Sequence, residues 1–174
     1  MTMIDTITNL VTRRKNPDGP NLPDDMDVLD KLKQEHEEVQ ELLGKLVDSE
    51  RGAERMRLLK QIKAALVPHT RAEEKVVYDA IIALKEKDAK IDGNEGYFEH
   101  AHADMALKKL STIKPATSPA FTAAAKVLKE LVEHHVKEEE RNVWRDVRKH
   151  FSAEERIEMN RAFEAAKKRV RVAS

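Results

Sequence analysis

Two stretches of the chain carry the same reactive pattern, HTRAEEKVVY at residues 69–78 and HVKEEERNVW at residues 135–144. Each has a histidine, a glutamate four residues on, a second glutamate, and then a valine and an aromatic. On a helix, positions four apart are separated by about 40° in azimuth and about 6 Å in rise, so His69 with Glu73 and His135 with Glu139 each make a two-armed clamp. One such pair in a charged helix is ordinarily a solvated side-chain contact. The repeat changes that reading, because His36, His69, Glu73, His100, His135 and Glu139 all fall on stripe positions where adjoining turns carry Leu, Val, Ile or Ala. They are predicted to point inward, and buried carboxylates without a compensating charge are costly or take up protons. Six nitrogen and oxygen donors are too many for one tetrahedral zinc, but they suit two cations, each held by two histidines and bridged by the two glutamates. On a redox metal, the open positions of such a site would admit dioxygen, peroxide, nitric oxide or an anion.

Around these six stand residues with lesser expected roles. Gln40 and Asp104 occupy equivalent places one turn after His36 and His100, where a hydrogen bond to a ligand is the expected role and direct ligation the alternative. Tyr78 and Trp144 end the repeated motif and are expected to wall a ligand pocket or to fill the core, with support of a ligand or added ligation as their further roles. His102 and His134 lie off the stripe, and His150 falls at the end of a helix, where its charge suits the dipole. His134 with Glu138 is the rival clamp, ranked second because the repeat aligns His135 with His69.

Helices must position these groups. The segment NPDGPNLPDD at residues 16–25 separates a short amphipathic N-terminal piece, residues 1–24, from the body. Leu29, Leu32, His36, Val39, Leu43 and Leu46 then give the alternating three- and four-residue steps of a bundle helix, ending near Glu50. A second helix carries Leu59, Ile62, Leu66, His69, Glu73, Val77 and Ile81, and Pro68 is expected to bend it just before His69. Asp92, Gly93 and Gly96 are expected to form a turn, followed by a third helix with His100, Ala103, Leu107 and Leu110. Ser118 as cap and Pro119 as first helical residue start a fourth, whose stripe runs from Phe121 through His135 and Glu139 to Val147. Ser152 with Glu155 is a capping box that opens a last helix. EHEEVQELLGKL at 35–46 also lines up with EHAHADMALKKL at 99–110. The expected architecture is all-α: an up-down-up-down four-helix bundle of two related helical hairpins over residues 25–150, with a C-terminal helix, residues 151–174, packed on it.

Composition agrees. Charged residues make up 37% of 174, and 11 are Gly or Pro, a helical balance. Thirty-two basic residues offset thirty-two acidic ones, which leaves no electrostatic footprint for nucleic acid or an anionic membrane. No apolar run approaches the roughly 18 residues that span a bilayer, and the N-terminus lacks the order of a signal peptide, so a cytoplasmic location is expected. With no Cys, disulfides, thiolate nucleophiles and Cys-ligated metals are excluded, and any metal must use His and carboxylates.

Over residues 27–150 the chain resembles the hemerythrin-like proteins with an HHE cation-binding domain. The resemblance rests on DxLxxLxxEH before His36, HxxxEExxVY from His69, EH at 99–100 with Asp104 four residues after the His, and HHVKEEERxVW from His134. It implies a carboxylate-bridged pair of non-heme irons with His36, His69, Glu73, His100, His135 and Glu139 as ligands, although the donor types alone also admit manganese or zinc. It further implies a protein that binds dioxygen or a related small oxidant for sensing, storage or detoxification. Two alternatives are a diiron enzyme that decomposes peroxide or reduces nitrogen oxides, and an iron-handling or regulatory module. The pattern departs from oxygen-carrying hemerythrins, which have HxxxH where this chain has His100 and Asp104.

Overall fold

The computed structural model describes residues 25–172, and the expected N-terminal piece lies outside them. Among the described residues every regular element is helical. Helix α1 spans Val28–Asp48 and is capped by Asp27, whose carboxylate accepts the Leu29 N–H at 2.9 Å. Helix α2 spans Gly52–Glu73, passes into a π-helical turn at Glu74–Tyr78, and resumes as α3, Asp79–Ile82. Then follow α4, Lys87–Thr112, α5, Pro119–Arg141, α6, Val143–His150, and α7, Ala153–Lys167. The Ser118 cap with Pro119 in the first turn opens α5, and the reciprocal Ser152–Glu155 capping box opens α7, both as predicted.

Two local expectations are corrected. Asp92, Gly93 and Gly96 form no turn but lie inside α4, which starts at Lys87. Glycine is present because neighbours press on the helix there: a Cβ at Gly96 would stand 2.5 Å from Tyr78 Cζ, and one at Gly93 2.7 Å from Ile82 Cγ1. Helix α2 runs through Pro68, the expected site of a bend, and a departure from α-helical bonding follows in the π turn. The predicted fourth helix is interrupted at Asn142, so that Val143 and Val147 belong to α6.

Two apolar cores flank a polar waist. Val39, Leu43, Leu46, Leu58, Leu66, Leu107, Phe121 and Leu128 belong to the first, and Leu32, Val77, Ile81, Trp144, Met159 and Phe163 to the second. Helix α1 meets the second core before His36 and the first after it, whereas α2 meets the first core before His69 and the second at Ala72, continued by the π turn and α3. Helix α4 packs Tyr97 against the second core and carries Ala103 into the first, and α5 passes from the first core into α6 at the second. Helix α7 packs against α1, α2 and the π turn through Met159 and Phe163, and Arg156 ties it to Asp27 at 2.6 Å. Full burial of an aromatic such as Phe163 contributes roughly 1.5–3 kcal/mol.

Candidate metal centre

The waist brings the six predicted donors together. His36 and His69 meet edge to face with ring centroids 5.0 Å apart, and His100 and His135 do the same at 4.6 Å, with their Nε2 atoms 3.0 Å apart. Glu73 stands between the pairs, its Oε2 3.4 Å from both His69 Nε2 and His100 Nε2. Glu139 closes the other side, with Oε2 3.3 Å from His36 Nε2 and 3.6 Å from His135 Nε2. All six side chains are buried, and His36, His69 and Glu73 form one compact donor set while Glu73, His100 and His135 form another.

The outward side of each imidazole is held as well. His69 Nδ1 lies 3.0 Å from Glu35, His100 Nδ1 3.1 Å from Glu74, His135 Nδ1 2.7 Å from Glu99, and His36 Nδ1 3.2 Å from Glu140. An ionised carboxylate only accepts hydrogen bonds, so each Nδ1 carries a proton, and a ring that gives up its second proton turns an Nε2 lone pair inward. The carboxylates run in a closed relay: α1 supports the histidine of α2, the π turn that of α4, α4 that of α5, and α5 that of α1. Sequence reasoning missed these four residues. Their signal was the doublets, Glu-His at 35–36 and 99–100 and Glu-Glu at 73–74 and 139–140.

Electrostatics show what the centre requires. Burial pushes the Glu73 carboxyl up, but the imidazoles of His69 and His100 pull it well below the usual range. Burial and the facing charge of Glu73 drive Glu139 up to about 8. Burial disfavours the imidazolium forms of His36 and His100, yet Glu139 and Glu140 raise His36 to about 10, and Glu73 and Glu74 raise His100 to about 9. Without a cation, therefore, protons must balance the buried carboxylates. Even so, His36 Nε2, Glu73 Oε1 and both oxygens of Glu139 are buried with no hydrogen-bond partner. Once those protons leave, the inward lone pairs of imidazoles and carboxylates in this buried waist fit a cation centre of borderline-hard character.

On the side facing the first core, a cavity of about 20 Å³ touches His36, His69, His100 and His135 and is otherwise walled by residues such as Leu66 and Val132. Its volume suits a water-sized ligand. On the other side stand the two motif aromatics. Trp144 stacks on His36 at 6.1 Å, and Tyr78 lies on His100 at 5.2 Å with its hydroxyl 3.4 Å from Glu73 Oε2. In an α-helix, residues five apart diverge by about 140°. The i→i+5 bonding of the π turn instead brings Glu73 and Tyr78 to one face.

The remaining expectations fare unevenly. Asp104 bonds no histidine; it pairs with Arg71, which also holds Glu74 at 2.9 Å, so it acts two steps from His100. Gln40 is half-buried and is not among the converging groups. His134 is exposed and its ring faces Glu99, while Glu138 pairs with Arg141, so the rival clamp does not form. His102 is exposed, and His150 ends α6 beside Glu86.

Comparison with known proteins agrees with this geometry at family level. The family model described as hemerythrin HHE cation binding domain matches residues 27–144. A protein of Nostoc sp. (strain PCC 7120 / SAG 25.82 / UTEX 2576) described as a DNA nickase is 27% identical over 146 residues, which cover 84% of this chain and 40% of that relative. The chain thus spans less than half the length of the relative. No solved structure matches it. With the family match taking in every one of the six converging donors on the four helices that present them, the chain belongs to the hemerythrin HHE cation-binding domain family.

Proposed function

We propose that this chain is a cytoplasmic non-heme dinuclear iron protein that binds dioxygen or a related small oxidant, for sensing, storage or detoxification. One observation carries the reading: four inward Nε2 atoms and two carboxylates lie in a closed ring around the waist, with buried lone pairs that no protein group satisfies. His36 and His69 would hold one ion, His100 and His135 the other, and Glu73 and Glu139 would bridge them. Iron supplies a redox-active centre with positions for a small ligand. The chain orients the imidazoles through Glu35, Glu74, Glu99 and Glu140, excludes water with the two cores, and offers a ligand space of about 20 Å³. The order in which each helix meets the two cores supports an up-down-up-down bundle over residues 25–150, with α7 packed on it.

Elemental analysis of the purified protein, with visible spectra before and after oxygen, peroxide and azide, tests the proposal. Two irons per chain and a coloured adduct are expected. A metal-free, colourless protein that cannot be reconstituted overturns it. Steady oxygen evolution from peroxide, lost in Glu73→Ala and Glu139→Ala, selects the enzymatic alternative over a binder. The similarity to a protein described as a DNA nickase supplies a second reading, tested by relaxation of supercoiled plasmid with iron-loaded protein; the balance of 32 basic and 32 acidic residues favours none.

A further inference from the structure

We propose that the Tyr78 hydroxyl is itself a metal donor, to the ion held by His100 and His135, so that the two positions of the centre are chemically unequal. The inference rests on the dinuclear reading above. Tyr78 is fully buried, and its oxygen lies 3.3 Å from His100 Nε2, 3.4 Å from His135 Nε2 and 3.4 Å from Glu73 Oε2. A phenol that serves one hydrogen bond settles about 2.7–2.8 Å from an oxygen partner. This one stands nearly equidistant from three, all of them candidate ligand atoms.

The spacing has a simple geometric meaning. With His100 Nε2 3.0 Å from His135 Nε2 and 3.4 Å from Glu73 Oε2, five of the six edges of the tetrahedron made by these four atoms lie between 3.0 and 3.4 Å. The sixth edge, from His135 Nε2 to Glu73, is longer but within 4.8 Å, and the point equidistant from four corners so spaced lies about 2.1–2.4 Å from each, near the length of a metal bond to nitrogen or oxygen. Tyr78 therefore completes a set of donors around one point.

Two features of the fold serve this placement. The π turn swings residue 78 onto the face of Glu73, and Gly96 leaves space for the ring, since a Cβ there would reach within 2.5 Å of Tyr78 Cζ. The internal repeat supplies the contrast. Its second copy places Trp144 against His36 where the first places Tyr78 against His100. An indole N–H has no lone pair to give, so the ion at His36 and His69 lacks the corresponding donor and keeps a position for an external ligand. On coordination the phenolic O–H bond is replaced by an oxygen–metal bond, the proton passes to solvent, and no oxidation state changes.

Resonance Raman and visible absorption of the ferric protein test this without any turnover assay. Phenolate ring modes enhanced under a visible charge-transfer band are expected, shifting when the protein is grown on ring-deuterated tyrosine. The chain has two tyrosines, so modes that survive in Tyr97→Phe identify Tyr78 even if Tyr78→Phe fails to fold. Tyr78→Phe, where it folds, should lose the band yet keep two irons per chain. Iron-loaded wild type with no phenolate modes, or a band unchanged in Tyr78→Phe, overturns the inference and leaves the dinuclear reading standing. Wild type that takes up no iron overturns both.

Discussion

Truncating Glu99 to alanine should weaken metal binding without removing a ligand. Its Oε2 receives the His135 Nδ1–H at 2.7 Å, the shortest of the four supports behind the imidazoles. A hydrogen bond with a charged partner contributes about 1.5–3 kcal/mol. Loss of an outer partner of a metal-bound histidine typically lowers affinity about 10–100-fold, which is about 1.4–2.7 kcal/mol, so the two scales agree. Glu99→Gln retains an acceptor but not the charge and should fall near the 10-fold end. Cobalt(II), a redox-stable probe, can be titrated against a chromophoric chelator to read the affinity. Because binding to the folded state adds to its stability, the cobalt-loaded variant should also melt roughly 3–11 °C lower than loaded wild type. The difference should shrink when both are metal-free. Glu133→Ala, which removes a half-buried partner of Lys129 on the same helix, is the control. A Glu99→Ala protein within twofold of wild type in cobalt affinity, or no weaker than the control, would refute the reasoning.

The same packing sets the outcome of other perturbations. Gly96→Ala should cost about 1–3 kcal/mol in urea unfolding, because its Cβ collides with the fully buried Tyr78 ring; unchanged stability would show that the two helices do not approach so closely. Phe163→Ala empties a fully buried site and should cost about 3–5 kcal/mol by the same measurement, with α7 loosened over His69. The metal-free protein should lose thermal stability as pH rises. His36 and His100, at about 10 and 9, and Glu139, at about 8, are all raised above their unfolded values, so their contributions are full below those values and are lost as pH climbs through the folded ones. Metal affinity should move the opposite way over the same range, since cations must displace these protons; melting curves and chelator competition from pH 6 to 10 separate the two.

The six central donors were legible because each interrupts an apolar stripe at α-helical spacing, and the doubled motif showed that two such interruptions belonged together. Tyr78 was expected at the pocket from its place in the repeated motif, but the geometry that departures from α-helical bonding impose was not legible. Tyr78 reaches the face of Glu73 only through the π turn, and nothing in EKVVY announces an extra residue in that turn. Gly93 and Gly96 read as punctuation, whereas they admit neighbouring side chains within a continuous α4. Asp104 has the spacing of a partner to His100, but spacing within one helix says nothing of Arg71 on another, which captures it. The supporting glutamates were hidden for the same reason: each serves a histidine on a different helix from its own.

That last feature makes the waist a one-way circuit. Displacing a single helix unseats two imidazoles at once, the one it carries, which loses its brace, and the one it braces on the next helix. Half the basket would then be misaligned by one local slip, so ion capture and closure of the bundle should occur as a single event, and a loosely gripped cation should have no stable intermediate in which to linger.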